Sequence, residues 1–153
     1  MSGTRQVVDR WVKSLIEHDI DREFELSRPD VVHEYPQSGE RVRGRENVRA
    51  IAENYPAGLP TIISGRVVGS EDRWVTTPSF TLLRIEGSGD VYTVIGEIAY
   101  PDGTVWQDVG VVELRDGAIS KVTWIFGAPF DPPQWRARWV EKIERTSSSP
   151  TSR

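Results

Sequence analysis

The sequence predicts an α+β fold, in which helices come first and a curved antiparallel sheet wraps around them. Apolar residues recur at helical spacing before Pro60, and a period of two dominates from Ile62 to Phe126. Glycine-rich or Asp-Gly turn signals separate the strand candidates. Helices followed by antiparallel strands are typical of this class. We expect such a sheet to leave a pocket between itself and the helices.

Four helices are predicted. The first runs roughly from Thr4 to Glu17, the second from its cap Asp21 to Leu26, the third from Gly44 to Asn54 and the last from Gln134 to Ile143. The first has an apolar stripe typical of a helix that packs on a core. That stripe consists of Val7, Val8, Trp11, Val12, Leu15 and Ile16.

Strand candidates alternate apolar and polar residues between turn signals. One comes early, at Val31–Tyr35, and Pro36 ends it. The others follow Pro60. They are Ile62–Gly69, Trp74–Ile85, Val91–Tyr100, Thr104–Arg115 and Ala118–Phe126.

Glu97 and Asp108 flank one of these turns and are the most informative pair of residues in the chain. A two-residue loop at Asp102-Gly103 would pair Ala99 with Trp106 and place Glu97 directly opposite Asp108. Facing carboxylates repel each other. A fold keeps such a pair at little cost if both face water, and for a functional reason if both face a cavity.

The inward orientation predicts acid–base chemistry. Burial raises the pKa of a carboxyl group, and two coupled carboxyls titrate as a unit. One neutral and one ionised carboxyl then supply an acid and a base in one pocket. In the outward alternative, Glu97 pairs with Arg84 or Lys121, and Asp108 is a surface acid beside Gln107.

Composition limits the classes of function. A chain of 153 residues predicts one domain over residues 1–144 and a disordered polar tail over 145–153. A net charge of -4 argues against a nucleic-acid partner, and no apolar run is long enough for a membrane partner. No signal peptide and no cysteines are seen, so a cytoplasmic location is expected. With only His18 and His33 and no nucleotide motif, neither a metal nor another cofactor is expected.

Two segments resemble the SnoaL-like branch of the NTF2-like superfamily. The first is a strand that ends at Pro36, a turn at Gly39 and a helix start at Gly44-Arg45-Glu46. The second is the set of strands from Val91 that closes on Trp124-Ile125-Phe126. The resemblance implies an NTF2-like cone, with the curved sheet around the N-terminal helices and a C-terminal helix. The superfamily includes ketosteroid isomerases, polyketide cyclases, epoxide hydrolases, dehydratases and non-catalytic subunits.

The resemblance also implies that this chain lacks the catalytic residues of the ketosteroid isomerases and of the epoxide hydrolases. The general base of the ketosteroid isomerases falls at Tyr35, and their acidic oxyanion donor falls at Gly110. The epoxide hydrolases need an arginine that is absent and an aspartate that falls at Trp124. Polyketide cyclases use a histidine and an aspartate, which His33 and Asp108 could supply.

Cavity-facing positions of the superfamily give the candidate site. The candidate catalytic residues are Glu97, Asp108, His33 and Tyr35. The candidate substrate contacts are Trp11, Trp74, Trp106, Val122, Trp124 and Phe126. His33 is either a general base or a structural histidine. Tyr35 either donates a hydrogen bond to a substrate oxygen or simply packs in its strand. The aromatic residues can equally be core.

Two further expectations concern contacts around the site. For Asp108 to lie opposite Trp124, the turn at Arg115–Gly117 must be a three-residue loop. Trp135 and Trp139 share a helix face and, with Phe130, would cover the cone or contact a partner subunit.

Two functional hypotheses follow. The first is a cofactor-independent enzyme that moves protons on a small, apolar, oxygen-bearing molecule, by cyclisation, isomerisation, dehydration or ring opening. The second is a non-catalytic module for ligand binding or dimerisation. A homodimer is expected because Val105, Val109 and Val111 give the outer sheet face an apolar band.

Overall fold

The computed structural model describes residues 3–70 and 90–143, and for residues 63–70 it describes the backbone alone. Trp74, the strand predicted from Trp74 to Ile85 and the predicted disordered tail at 145–153 lie outside the described residues. No helix in the described ranges is both long enough and apolar enough to span a membrane.

Three α-helices come from the first third of the chain. They are α1 (Gly3–Glu17), α2 (Ile20–Leu26) and α3 (Arg45–Glu53). The carboxylate of Asp19 caps α2 by accepting a hydrogen bond from the backbone N–H of Arg22 at 3.0 Å. The predicted cap, Asp21, is therefore wrong, because the helix begins one residue earlier than predicted.

The strands form one curved sheet in the order β2-β1-β6-β5-β4-β3. All neighbouring strands are antiparallel except β1 and β6, which are parallel. The strands are β1 (Ser27–Tyr35), β2 (Glu40–Arg43), β3 (Thr61–Ser70), β4 (Val91–Ala99), β5 (Val105–Arg115) and β6 (Ala118–Gly127). The short edge strand β2 was not predicted, because only four residues of it pair with β1.

The β4–β5 loop is longer than predicted. Residues 100–104 form it, and the backbone N–H of Tyr100 donates a hydrogen bond to the carbonyl of Thr104 at 2.9 Å. The Asp102 carboxylate also accepts hydrogen bonds from Thr104, which stabilises this wider turn. Ala99 consequently pairs with Val105 instead of Trp106. A register change of one residue turns every side chain of one strand to the other face relative to its partner.

The β5–β6 turn is shorter than the predicted three-residue loop. Arg115 pairs with Ala118, and the two residues between them have φ of 53° and 75°, as a type I′ turn requires. A register irregularity between Glu113 and Leu114 then shifts the rest of the ladder. As a result Asp108 lies opposite Phe126, and Gly110 lies opposite Trp124.

The core lies between α1 and the concave face of the sheet. Its fully buried side chains include Val8, Trp11, Val31, Val112, Ile119 and Val122. The predicted C-terminal α-helix is wrong: the segment forms a 3₁₀ helix over Gln134–Trp139 only. Trp135 and Trp139 remain 74% and 66% exposed and do not cover the cone. Without a buried face, little tertiary packing favours a longer α-helix there.

Candidate active site

A cavity of about 180 Å³ lies between the three helices and the inner face of the sheet. Most of its wall is apolar, and its polar side chains come from several elements. Those with the chemistry of an acid, a base or a hydrogen-bond donor include Glu23, His33, Tyr35, Tyr55, Tyr100 and Asp108. An apolar cavity with a few polar groups is the usual form of a small-molecule site.

Asp108 points into this cavity from β5. Its side chain is only 6% exposed, and its Oδ1 atom has no hydrogen-bond partner among the described residues. Burial raises the pKa of Asp108 to about 6, although a hydrogen bond from its own backbone N–H acts in the opposite direction. Asp108 is thus a carboxyl group that can both release and accept a proton near neutral pH.

Glu97 does not lie beside Asp108 in the cavity. In the observed register Gly96 lies opposite Asp108, and Glu97 lies opposite Gln107. Gly96 lines the cavity, and the half-buried Glu97 lies on the other face of the sheet. The predicted Glu97–Asp108 pairing is therefore wrong, because the five-residue loop moves β4 by one residue relative to β5. The resemblance also implies that Ile95 and Ala99 face the cavity, but neither residue lines it.

His33 is a buried, neutral imidazole. It is 3% exposed, and its Nδ1 accepts a hydrogen bond from the indole N–H of Trp124 at 3.3 Å. Since Nδ1 is the acceptor, the proton of the neutral ring is on Nε2. That Nε2 atom has no partner among the described residues, and burial lowers the pKa of His33 to about 4. In this tautomer His33 can donate a hydrogen bond but is a poor proton acceptor.

Three tyrosines line the cavity, Tyr35, Tyr55 and Tyr100. Tyr55 and Tyr100 are hydrogen-bonded to each other, and the charge of Asp108 acts on Tyr100. Burial raises the pKa of Tyr35 and of Tyr100 to about 12, with smaller contributions from Glu23 at Tyr35 and from Tyr55 at both. These phenols therefore stay protonated and can donate hydrogen bonds.

Tyr55, Tyr100 and Glu23 were not among the predicted site residues. Tyr55 lies in a loop, where periodicity gives no orientation. Tyr100 was predicted at the end of a strand in the phase that turns Glu97 inward, which places Tyr100 on the opposite face. Glu23 lies on α2, three residues after Ile20, and both line the cavity. That spacing places them on one helix face and could have identified Glu23. Burial raises the pKa of Glu23 to about 7.

Aromatic rings form a continuous row from the core to the cavity. Trp11 packs on Trp124 with ring centroids 5.7 Å apart, Phe126 stacks on Trp124 at 5.8 Å, and Tyr35 stacks on Phe126 at 6.3 Å. Trp124 and Phe126 line the cavity, as predicted for substrate contacts, whereas Trp11 is fully buried in the core.

Two other predicted contacts also lie away from the cavity wall. Val122 is fully buried in the core, so no surface remains for a ligand. Trp106 packs on Tyr100 with ring centroids 5.2 Å apart, and its indole N–H donates to the hydroxyl of Thr104. Trp106 therefore stabilises the β4–β5 loop and does not line the cavity.

Gly110 makes room for the Trp124 ring. A Cβ atom at this position would lie 2.9 Å from Cζ3 of Trp124, closer than real side chains approach. The absence of a side chain lets the indole lie flat on β5, where it reaches His33. Among residues 3–70 and 90–143, no cluster of three His, Cys, Asp or Glu side chains could hold a metal ion.

No protein-family model and no curated protein matches this sequence. Solved structures do match it. An NTF2-like protein of unknown function from Burkholderia xenovorans is 29% identical, with a TM-score of 0.68, and the match covers 93% of this chain and 96% of that one. A protein named as a candidate ketosteroid isomerase from Kribbella flavida is 21% identical, with a TM-score of 0.67 and coverage of 95% and 93%.

TerC, co-crystallised with polyporic acid, is 18% identical, with a TM-score of 0.55 and coverage of 82% of this chain and 92% of TerC. Together these likenesses show that the chain has the NTF2-like fold, which confirms the predicted α+β fold class. They do not distinguish the SnoaL-like branch, which stays a prediction.

Proposed function

We propose that the cavity is an active site in which Asp108 transfers protons on an uncharged, apolar, oxygen-bearing small molecule. The observation that carries this proposal is the buried carboxyl of Asp108 on an apolar wall, whose Oδ1 atom has no partner among the described residues, beside a hydrogen-bonded pair of tyrosines. Such a carboxylate is a stronger base than one in water, because burial disfavours its charge.

Isomerisation is the reaction that this equipment supports best. Ionised Asp108 would take a proton from the carbon next to a carbonyl group, and the electron pair would move onto the carbonyl oxygen. The Tyr100 phenol, which burial keeps protonated, would donate a hydrogen bond to that oxygen. Where the substrate has a C=C bond next to that carbon, the negative charge spreads over it, and protonated Asp108 would return the proton to the far carbon of that bond, so that the double bond shifts toward the carbonyl. One base and one hydrogen-bond donor suffice, and the base is regenerated.

The size of the cavity limits the substrate. An apolar protein cavity of roughly 150 Å³ can hold a benzene molecule. A volume of about 180 Å³ therefore fits a molecule with one ring. No lysine or arginine lines the cavity in the described part of the chain, and two carboxyl groups do. A neutral ketone fits this wall better than an anion.

Hydrogen exchange tests the proton transfer without knowledge of the natural substrate. In D₂O at pH 7.5, the wild type should speed exchange of the α-protons of 4-methylacetophenone, followed by proton NMR. Asp108→Asn should lower the catalysed rate by about 10² or more, the usual effect of a general base. Glu97→Gln is the matched control, because it removes a carboxyl on the other sheet face, and its rate should equal that of the wild type.

Equal exchange by wild type and Asp108→Asn would refute the role of Asp108. Saturable binding of the ketone without exchange would instead favour the second hypothesis, a non-catalytic ligand-binding module.

We also propose a homodimer through the outer sheet face. Val105, Val109 and Val111 are half-buried there, and the neighbouring Ile125 is 41% exposed. An apolar band of this kind is typical of a subunit contact. Sedimentation at micromolar concentration should give twice the chain mass, and Val109→Asp should give the monomer mass. A monomeric wild type would contradict the proposal.

A further inference from the structure

Glu23 is a second carboxyl group on the cavity wall, and the mechanism above does not use it. The helix α2 turns Ile20 and Glu23 toward the cavity. The Glu23 carboxyl makes no hydrogen bond or ion pair in the described part of the chain, although Arg22 precedes it and Arg45 and Arg49 lie over the neighbouring Phe24. A structural carboxyl would be expected to have a partner there.

Glu23 and Asp108 lie on opposite walls of the cavity. Glu23 comes from the helical wall, on α2, and Asp108 comes from the sheet wall, on β5. Each carboxyl also raises the pKa of a tyrosine that lines the cavity, Glu23 that of Tyr35 and Asp108 that of Tyr100. A ligand between the two walls can therefore meet a carboxyl group on either side.

An unpartnered carboxyl group binds hydrogen-bond donors. The most abundant uncharged donor on an apolar, oxygen-bearing molecule is a hydroxyl group, and a hydrogen bond to a carboxylate is stronger than one between neutral groups. We propose that Glu23 binds a hydroxyl group of the substrate, at the end of the ring remote from the carbonyl that Asp108 serves. The substrate class is then an uncharged one-ring hydroxyketone. This inference rests on the proposed function.

The test compares two ligands of nearly equal shape, 4-hydroxyacetophenone and 4-methylacetophenone. The methyl group replaces the hydroxyl donor with an apolar group of similar size. Binding to the full chain is followed by tryptophan fluorescence, because Trp124 lines the cavity. The wild type should bind the hydroxyl compound about tenfold more tightly, the effect of one hydrogen bond to a charged group.

Glu23→Leu should reverse this preference, since the methyl compound is the more apolar of the two. Glu23→Gln, which keeps the shape of the side chain, should reduce the preference severalfold. The control is Glu25→Leu, which changes an exposed glutamate of the same helix and should leave the preference unchanged.

A wild type that prefers the methyl compound overturns the role of Glu23, and this result needs no variant to fold. If the wild type still speeds exchange of the α-protons and Asp108→Asn does not, the proposed function is kept and only the role of Glu23 is lost. A hydroxyl preference that Glu23→Leu does not alter also overturns the inference. Failure of both ligands to bind overturns the inference and the proposed function together.

Discussion

Replacing Asp108 by asparagine should stabilise the protein at neutral pH while it removes the proposed base. The carboxyl is buried and its Oδ1 has no partner in the described residues, so its negative charge costs folding free energy. Asparagine has almost the same shape and no charge. A site that needs a buried base therefore makes the folded protein less stable than it could be.

The magnitude follows from the pKa of Asp108. Folding raises this pKa from 3.8 to about 6, a difference of about 2.2. A difference of one in pKa corresponds to about 1.36 kcal/mol, so the ionised carboxylate destabilises the fold by up to about 3 kcal/mol.

The sign of the pH dependence is fixed by the direction of the shift. Because the folded pKa is the higher one, the folded state holds the proton more tightly. The contribution of Asp108 to stability is fully present below pH 3.8 and is lost as the pH rises through about 6. The advantage of Asp108→Asn should therefore be close to zero at pH 4, should grow between pH 4 and 6, and should be constant above pH 7.

Urea unfolding at several pH values measures this difference. For a chain of this length, 1 kcal/mol also corresponds to a change in Tm of roughly 2–4 °C. Glu97→Gln removes a carboxyl on the other sheet face and should change stability by less than about 0.5 kcal/mol at each pH. If Asp108→Asn were less stable than the wild type at pH 7.5, or equally stable at all pH values, the carboxylate would not be desolvated.

Three more predictions test other parts of the fold. Gly110→Ala should destabilise the protein by about 1–3 kcal/mol through overpacking. Gly127→Ala is the control and should cost much less, because its new Cβ would lie 3.8 Å from the nearest atom, the carbonyl oxygen of Gln107. Urea unfolding measures both free energies. Nitrogen-15 NMR should show His33 as the Nε2–H tautomer without protonation between pH 5.5 and 8, since its pKa is about 4. Asp19→Ala should lower the free energy of unfolding by about 0.5–2 kcal/mol as a lost helix cap, whereas Asp21→Ala should cost less, because its ion pair is exposed.

The order of the elements and most of their bounds could be predicted from the sequence. Apolar periodicity is a local property, and it located the three helices of the first third of the chain and the strands from Val91 to Phe126 to within a few residues. The short strand β2 was missed because it depends on pairing with β1. The predicted C-terminal α-helix was wrong because that segment has no surface on which to pack.

The site was harder to predict because it depends on register. The orientation of Asp108 was correct, whereas the pairing with Glu97 failed by one residue. The Asp102 carboxylate accepts hydrogen bonds from the backbone N–H and the hydroxyl of Thr104, which stabilises the wider loop, and a turn signal alone does not reveal them. Glu23 was missed because α2 contributes a charged residue to an apolar wall, against the usual pattern of helix burial.

The close packing of Trp124 on Gly110 couples the residue types that these two positions can hold. The resemblance to ketosteroid isomerases implies an acidic residue at position 110, but any side chain there would meet the indole ring at 2.9 Å. An acid at position 110 would therefore need a smaller residue at 124, so we expect the combined change at both positions to cost less stability than the change at 110 alone.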